Sequence, residues 1–221
     1  MPVRGLHRAV AAIALRAAAP HGFALAGGNA LIAHGIIDRP TQDVDVFSDE
    51  LGAVEASASA VQGALHEAGF GAQRRDDTDD LAEVFYGMGE GLAEWIITAP
   101  DGEQMMLQMA YFDRARSPVL MDVGPVLDLE DVVGGKVCAL ASRAEPRDYV
   151  DTSAALTRYT IEQVIGFARR LDPGLTDRDF ADAGQRLDQW GDGVFRAFGL
   201  GPRDILRLRQ RFAAWPRPAI S

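Results

Sequence analysis

The sequence predicts an α+β chain, with an α+β N-terminal domain over residues 1–124 and a helical domain over 125–221. Three observations predict it. Helix and strand periods alternate up to Phe47, strand periods dominate from Phe70 to Phe112, and helical spacing punctuated by Gly and Pro runs from Asp128 onward. Strands first and helices afterwards read as α+β.

Element by element, Val3, Leu6, Val10, Ile13 and Ala17 line one side of a helix over 3–18, which Pro20 ends. FALAG (23–27) is a short strand closed by Gly27 and Gly28, and Asn29 opens a short helix, NALIAHG, that Gly35 stops. DVDVF (43–47) alternates as a strand, and an alanine-rich helix covers 51–68. GFGAQRR, LAEVFYG, AEWIITA and EQMMLQMAYF read as strands, the last two joined by a hairpin turn at Asp101-Gly102. RRDDTDD, between Arg74 and Asp80, reads as a solvated polar loop. Helices follow over 128–143, 147–157, 161–170, 176–189 and 201–214.

Composition narrows the classes. A chain of 221 residues, 48% hydrophobic and 24% charged, can bury a core and is not disordered, collagenous or coiled coil. The single cysteine, Cys138, excludes an internal disulfide framework and a cysteine zinc site, and reads as a small buried hydrophobe. No apolar run approaches the ~20 residues of a membrane span. The stretch from Arg4 through AVAAIAL is broken by Arg16 and reads as a packed helix rather than a leader, so a cytoplasmic protein without membrane partners is expected. A net charge of −10 argues against a surface-wide grip on nucleic acid. The run Arg203, Arg207, Arg209, Arg211 and Arg217 reads as a solvated helix face. His7, His21, His34 and His66 share no metal-ligand spacing, and the tryptophans read as packing residues.

The chemistry concentrates in GGNALIAHGIIDRPTQDVDVF, residues 27–47. Gly27-Gly28 follows a strand and starts a helix, where backbone N–H groups can approach a phosphate. Asp43 and Asp45 are two apart on a strand, so both carboxylates share a face. Such a pair suits Mg²⁺, which takes a few carboxylates together with substrate phosphate oxygens. A phosphate-accepting turn beside a metal-holding acid pair is the equipment of phosphoryl or nucleotidyl transfer.

On these residues the segment resembles the nucleotidyltransferase superfamily that includes DNA polymerase beta. It is most similar to the AbiEii/AbiGii toxin family, to which the mycobacterial MenT toxins belong. A second block, Lys136, then ALASR, then Arg147-Asp148-Tyr149-Val150-Asp151, is similar to a pattern opening that family's helical half. The resemblance implies a polymerase-beta-like domain with a mixed sheet. It implies that Gly27, Gly28 and Asn29 hold the triphosphate, that Asp43 and Asp45 hold Mg²⁺ or Mn²⁺, and that Lys136 contacts nucleotide phosphates. It further implies that Asp148 and Asp151 support catalysis or orient Lys136 and Arg147, with Arg147 near the nucleotide, and that Arg39 and Thr41 shape the loop feeding the acid pair. The implied reaction moves a nucleoside monophosphate from an NTP to a macromolecular acceptor, such as a tRNA 3′ end, within a toxin–antitoxin or abortive-infection system with an antitoxin partner.

Two departures stand out. Asn29 occupies a position where many members carry Ser or Thr. Superfamily enzymes also place a third carboxylate on a later strand, and the nearest matching triplet here is Leu107-Gln108-Met109. Asp113 is an odd number of residues away from Gln108, hence on the opposite face. Either two carboxylates suffice, or Asp148 or Asp151 supplies the third, or activity is degraded. If Gln108 occupies the missing position, Gln108→Asp is expected to tighten Mg²⁺ binding. Two other readings stay open: a small-molecule nucleotidyltransferase of the antibiotic-modifying type, and a non-catalytic nucleotide-binding protein of the same fold.

Lys136 falls on the apolar stripe of its helix, three or four residues from Val132, Val133 and Leu140. Gly134 and Gly135 precede it and would let something large approach. The lysine either pairs with Asp148 or Asp151 or meets the triphosphate. The second reading expects Lys136→Ala to weaken NTP binding at little cost in stability.

Overall fold

The computed structural model describes residues 5–75 and 91–218. The expected strand 81–87 and the acidic residues 76–80 lie outside the described residues. The chain divides into two compact units, Met1–Asp128 and Leu129–Ser221.

The first unit runs α1 (Gly5–Ala17), a 3₁₀ turn (Ala19–His21), β1 (Ala24–Leu25), α2 (Gly27–Ala33), β2 (Asp43–Ser48), α3 (Ala53–Glu67), β3 (Gly71–Arg75), β4 (Leu92–Thr98), β5 (Gln104–Tyr111), β6 (Val119–Met121) and β7 (Gly124–Val126). Among the described residues these strands form one sheet in the order β3-β4-β5-β2-β1-β7-β6. The sheet is mixed: β2 runs parallel to β5 and β1 parallel to β7, while the other pairs are antiparallel. Val10, Ala11, Ala14 and Leu15 of α1 and Val54, Ala58, Val61 and Leu65 of α3 are buried, as are Val44, Val46, Trp95, Ile97, Leu107 and Met109 on the strands. The helices cover one face of the sheet and leave the alternate positions of β2 and β5 on the other face half-exposed.

The sequence placed the domain boundary near Gly124. The structure places it after Asp128, because 124–126 is β7, which pairs with β1 through Leu25 and Val126 and so belongs to the sheet. Neither β6 nor β7 was expected from the sequence. Each is three residues long and flanked or interrupted by proline, Pro118 and Pro125, which hides the strand period.

The second unit is α4 (Leu129–Ser142), α5 (Pro146–Ala155), α6 (Ile161–Leu171), α7 (Asp177–Gln189), α8 (Asp192–Arg196) and α9 (Pro202–Arg211). The helix α4 packs on α5, α6 and α7. The room beside Gly134 is taken by α6: a Cβ there would meet the Phe167 carbonyl oxygen at 2.9 Å and Leu171 Cδ1 at 2.8 Å. That corrects the reading of Gly134 as clearance for a large partner. Tyr149, Phe195, Phe212, Trp215 and Phe180 form a chain of ring contacts through the core of this unit.

The arginine run is not one solvated face. Arg209 donates to the carbonyls of Leu187 and Trp190, Arg211 to the Ser153 carbonyl, and Arg217 pairs with Asp188. Those three fasten the C-terminal segment to the unit; Arg203 and Arg207 remain exposed.

Candidate active site

Strand alternation builds the centre of the site. Val44 and Val46 go into the core, and Asp43, Asp45 and Phe47 face the other way, half-exposed. The adjoining turn is fitted to the acids. Gly27 has φ +58°, in the left-handed region, and a Cβ there would lie 1.8 Å from Asp45 Oδ2. A Cβ at Gly28 would lie 2.6 Å from Thr41 Cγ2. The two glycines therefore let the start of α2 pack directly on the Asp45 carboxylate and the Thr41 side chain.

Asn29 works inside the protein. It is 1% exposed, its Nδ2 donates to the Asp43 carbonyl at 2.7 Å, and its Oδ1 accepts from Thr41 Oγ1 at 3.1 Å. Its amide clasps the loop before β2, so what it can offer a phosphate is its backbone N–H. Ala26 N–H donates to the Asp45 carbonyl at 2.8 Å, closing the turn onto β2 from the other side.

Across the sheet, Asp43 is in register with Met106 and Asp45 with Gln108. The neutral residue thus stands beside Asp45 on the same face. One strand further, Glu94 is in register with Gln108, and Gln108 Nε2 donates to Glu94 Oε1 at 2.8 Å. Glu94 is 6% exposed, and Arg75, in register with it on β3, brings Nη1 to 3.9 Å from Glu94 Oε2. Sequence reasoning missed Glu94. The signal was the hairpin: Glu94 is seven residues before Asp101 and Gln108 seven after, so a turn centred on Asp101 pairs them. Asp113 lies past the end of β5 and is exposed.

The second block of candidates lies in the second unit. Lys136 Nζ is 3.1 Å from Asp151 Oδ2, the lysine side chain 19% exposed and the acid fully buried. Asp148, also fully buried, accepts from Arg143 Nε and Nη2 at 3.0 Å each, and from the Glu145 N–H at 3.1 Å. That hydrogen bonding holds Arg143 more firmly in its charged form, against the opposing effect of burial. Asp148 therefore orients Arg143 and the start of α5. It does not hold Arg147, whose Nε lies 3.0 Å from Glu145 Oε2. Nearby Cys138 donates to the Ala168 carbonyl, and burial, aided by Asp172, pushes its thiol up to about 12.

Among the described residues no three His, Cys, Asp or Glu side chains converge as a metal site. Asp43 and Asp45 still fit one Mg²⁺. Two same-face, half-exposed carboxylates match the one or two that Mg²⁺ takes when substrate phosphates and water complete its shell. A cavity of about 680 Å³ beside α1, lined by Leu15, Phe23, Arg114 and Leu120, includes none of these residues.

A model of the family described as "Nucleotidyl transferase AbiEii toxin, Type IV TA system" matches residues 8–217. The chain belongs to the AbiEii nucleotidyltransferase toxin family. No curated protein matches it in sequence. In fold it is similar to MenT4, a nucleotidyltransferase toxin of Mycobacterium tuberculosis H37Rv, at 16% identity and a TM-score of 0.61, over 94% of this chain and 82% of that one. It is also similar to JHP933 of Helicobacter pylori, at 14% identity and a TM-score of 0.56, over 93% and 88% of the two chains. A putative nucleotidyltransferase from H. pylori matches at 13% identity and a TM-score of 0.56, over 93% and 91%. Membership makes this AbiEii chain a toxin nucleotidyltransferase. Among the described residues no helix is long and apolar enough to cross a membrane.

Proposed function

We propose that this AbiEii toxin transfers a nucleoside monophosphate from an NTP to the 3′-terminal hydroxyl of a tRNA, with Mg²⁺ or Mn²⁺ held by Asp43 and Asp45, and that an antitoxin restrains it. The observation supporting the reading is the acid pair: two carboxylates on the exposed face of β2, with the Gly27 backbone packed against one of them.

In the reaction the acceptor oxygen bonds to the α-phosphorus, the bond to the β-phosphate breaks, pyrophosphate leaves, and the hydroxyl proton is released. A bound Mg²⁺ supplies charge neutralisation at the phosphates and orientation of the leaving group. The chain's own residues do the rest. The N–H groups of Gly28 and Asn29 precede the first intrahelical bond, from Ala30 N–H to the Ala26 carbonyl, and donate to triphosphate oxygens. Asn29 and Thr41 keep the loop before β2 closed, so that Asp43 and Asp45 are held in place before substrate arrives. In the second unit Asp151 pairs with Lys136, the cation that the family resemblance assigns to nucleotide phosphates, while Asp148 fixes Arg143 and the first turn of α5.

The test is incubation with each α-labelled NTP and total tRNA. Label on tRNA with wild type and none with Asp43→Asn supports the proposal. Label that persists with Asp43→Asn, or no label from any NTP, overturns it.

A further inference from the structure

The third acid of this site is present, but one strand away from where a metal ligand would stand. We infer that Gln108 presents its amide carbonyl to the cation held by Asp43 and Asp45, and that Glu94 acts through Gln108 as the positioning residue that fixes which end of the amide faces the cation. This rests on the proposed metal site at the acid pair.

Three observations carry it. The first is register: Asp45, Gln108 and Glu94 lie in one row across β2, β5 and β4, on a single face. Gln108 has Asp45 on one side and Glu94 on the other. The second is hydrogen-bond chemistry. A carboxylate only accepts, so the end of the Gln108 amide that meets Glu94 Oε1 at 2.8 Å must be the NH₂ group. The carbonyl oxygen is then turned away from Glu94, toward the side on which Asp45 stands. An unrestrained glutamine would present either end with similar ease, and half of those orientations would aim donors at a cation. The third is burial. Glu94 is 6% exposed and has Arg75 beyond it, so the acceptor is anchored from behind and cannot easily swing away.

The row also explains why a glutamine stands there. A carboxylate at 108 would sit against the buried Glu94 carboxylate, two like charges in hydrogen-bond contact. A neutral ligand avoids that clash and keeps the site at two negative charges. Gln108→Asp alone is therefore not expected to tighten Mg²⁺ binding. The charge at 108 can be raised only if the charge at 94 is removed.

The experiment is Mn²⁺ titration of the full chain without nucleotide, read by the electron paramagnetic resonance of free Mn²⁺. The key variant is the exchange Gln108→Glu with Glu94→Gln, which keeps the cross-strand hydrogen bond but moves the carboxylate next to Asp45. It should bind Mn²⁺ about tenfold more tightly than wild type, since hard cations favour anionic oxygen. Gln108→Glu alone should bind Mn²⁺ no more tightly than wild type and should lower the melting temperature, which the exchange restores. Gln108→Met, a shape-similar fallback should the exchange not fold, should weaken Mn²⁺ binding severalfold. Asp45→Asn serves as the control. If it abolishes Mn²⁺ binding while the exchange and Gln108→Met both bind as wild type does, Gln108 is no ligand and this inference falls alone. If Asp45→Asn binds Mn²⁺ like wild type, the metal site itself is misplaced and both readings fall.

Discussion

The Asp45 carboxylate occupies the space that a Cβ at Gly27 would need: the two would be 1.8 Å apart, at a backbone φ of +58°. Nothing at the far end of a flexible chain can move aside here, because Asp45 has only one carbon between its carboxylate and the backbone of β2. Position 27 is therefore coupled to the acid pair by direct contact.

Gly27→Ala is expected to fold with reduced stability, since the left-handed conformation costs a non-glycine residue about 1–2 kcal/mol. It is expected to lose at least ~100-fold in transfer rate, because the displaced carboxylate is one of the two proposed to hold the metal. Thermal melting and steady-state transfer check this together. A variant that is destabilised yet turns over like wild type would show that the Asp45 position is not critical.

Asp43→Asn and Asp45→Asn should each retain the fold, as both side chains are half-exposed on the face away from the core. Each should cost more than ~100-fold in rate, the scale on which loss of one strong electrostatic stabiliser is felt. Circular dichroism establishes the fold and labelled-NTP transfer gives the rate. Near wild-type transfer by either one removes it from the site.

Asn29→Ala separates positioning from binding. The substitution removes a donor to the Asp43 carbonyl and an acceptor for Thr41 Oγ1 at a buried position. Two lost bonds, with part-buried partners left unmatched, should cost about 2 kcal/mol. Asn29→Ser should recover part of the stability but not the full bridge, having one short hydroxyl for two contacts. Denaturant melts of the two variants check the order.

Much of this architecture was legible in the sequence, and the exceptions share a physical cause. The strand period of 43–47 gave the shared face of Asp43 and Asp45, because alternation is a property of a single segment. The pairing of Asp45 with Gln108 depends on β2 lying parallel to β5, a non-local choice that no window of sequence displays. Glu94 was hidden for the opposite reason. Its own segment reads only as an apolar strand, although the Asp101-Gly102 turn implies its partner. The boundary at 124 was misplaced because β7 offers only Gly-Pro-Val before the chain turns helical. The Lys136 helix pattern was legible as a stripe, but not which of two acids would meet the ammonium; the turn between α4 and α5 decides that, giving Asp151 to Lys136 and Asp148 to Arg143.

The Lys136–Asp151 pair changes what Lys136→Ala should do. Removing the lysine leaves a fully buried carboxylate without its cation, so the expectation of little stability cost does not hold. The loss should be about 2–3 kcal/mol, the lower part of the range for broken buried pairs, because the lysine side chain is partly solvated. Removing both partners in Lys136→Met with Asp151→Leu should recover most of that stability, while NTP binding stays weak. If NTP affinity returns with the double variant, Lys136 serves the fold alone.

Alkaline pH gives the last prediction. Burial pushes the Cys138 thiol from 9.0 to about 12 and raises the Tyr149 hydroxyl as well, the latter donating to the Ala183 carbonyl at 2.7 Å. Both groups ionise more readily in the unfolded chain than in the folded one. Below pH 9 neither state has lost these protons, and the stabilisation is fully present. As pH climbs from about 9 toward 12, the unfolded state releases protons that the native state retains, so stability falls with rising pH. The melting temperature should decline over that window, and Cys138→Ala should lessen the decline relative to wild type. The raised pKa keeps half-buried Cys138 in its thiol form at pH 8, so it should react more slowly with a thiol reagent in the native protein than once unfolded, since the thiolate is the reactive form. Parallel melting profiles for wild type and Cys138→Ala, together with rapid native-state labelling, would place the thiol in contact with solvent instead of against α6.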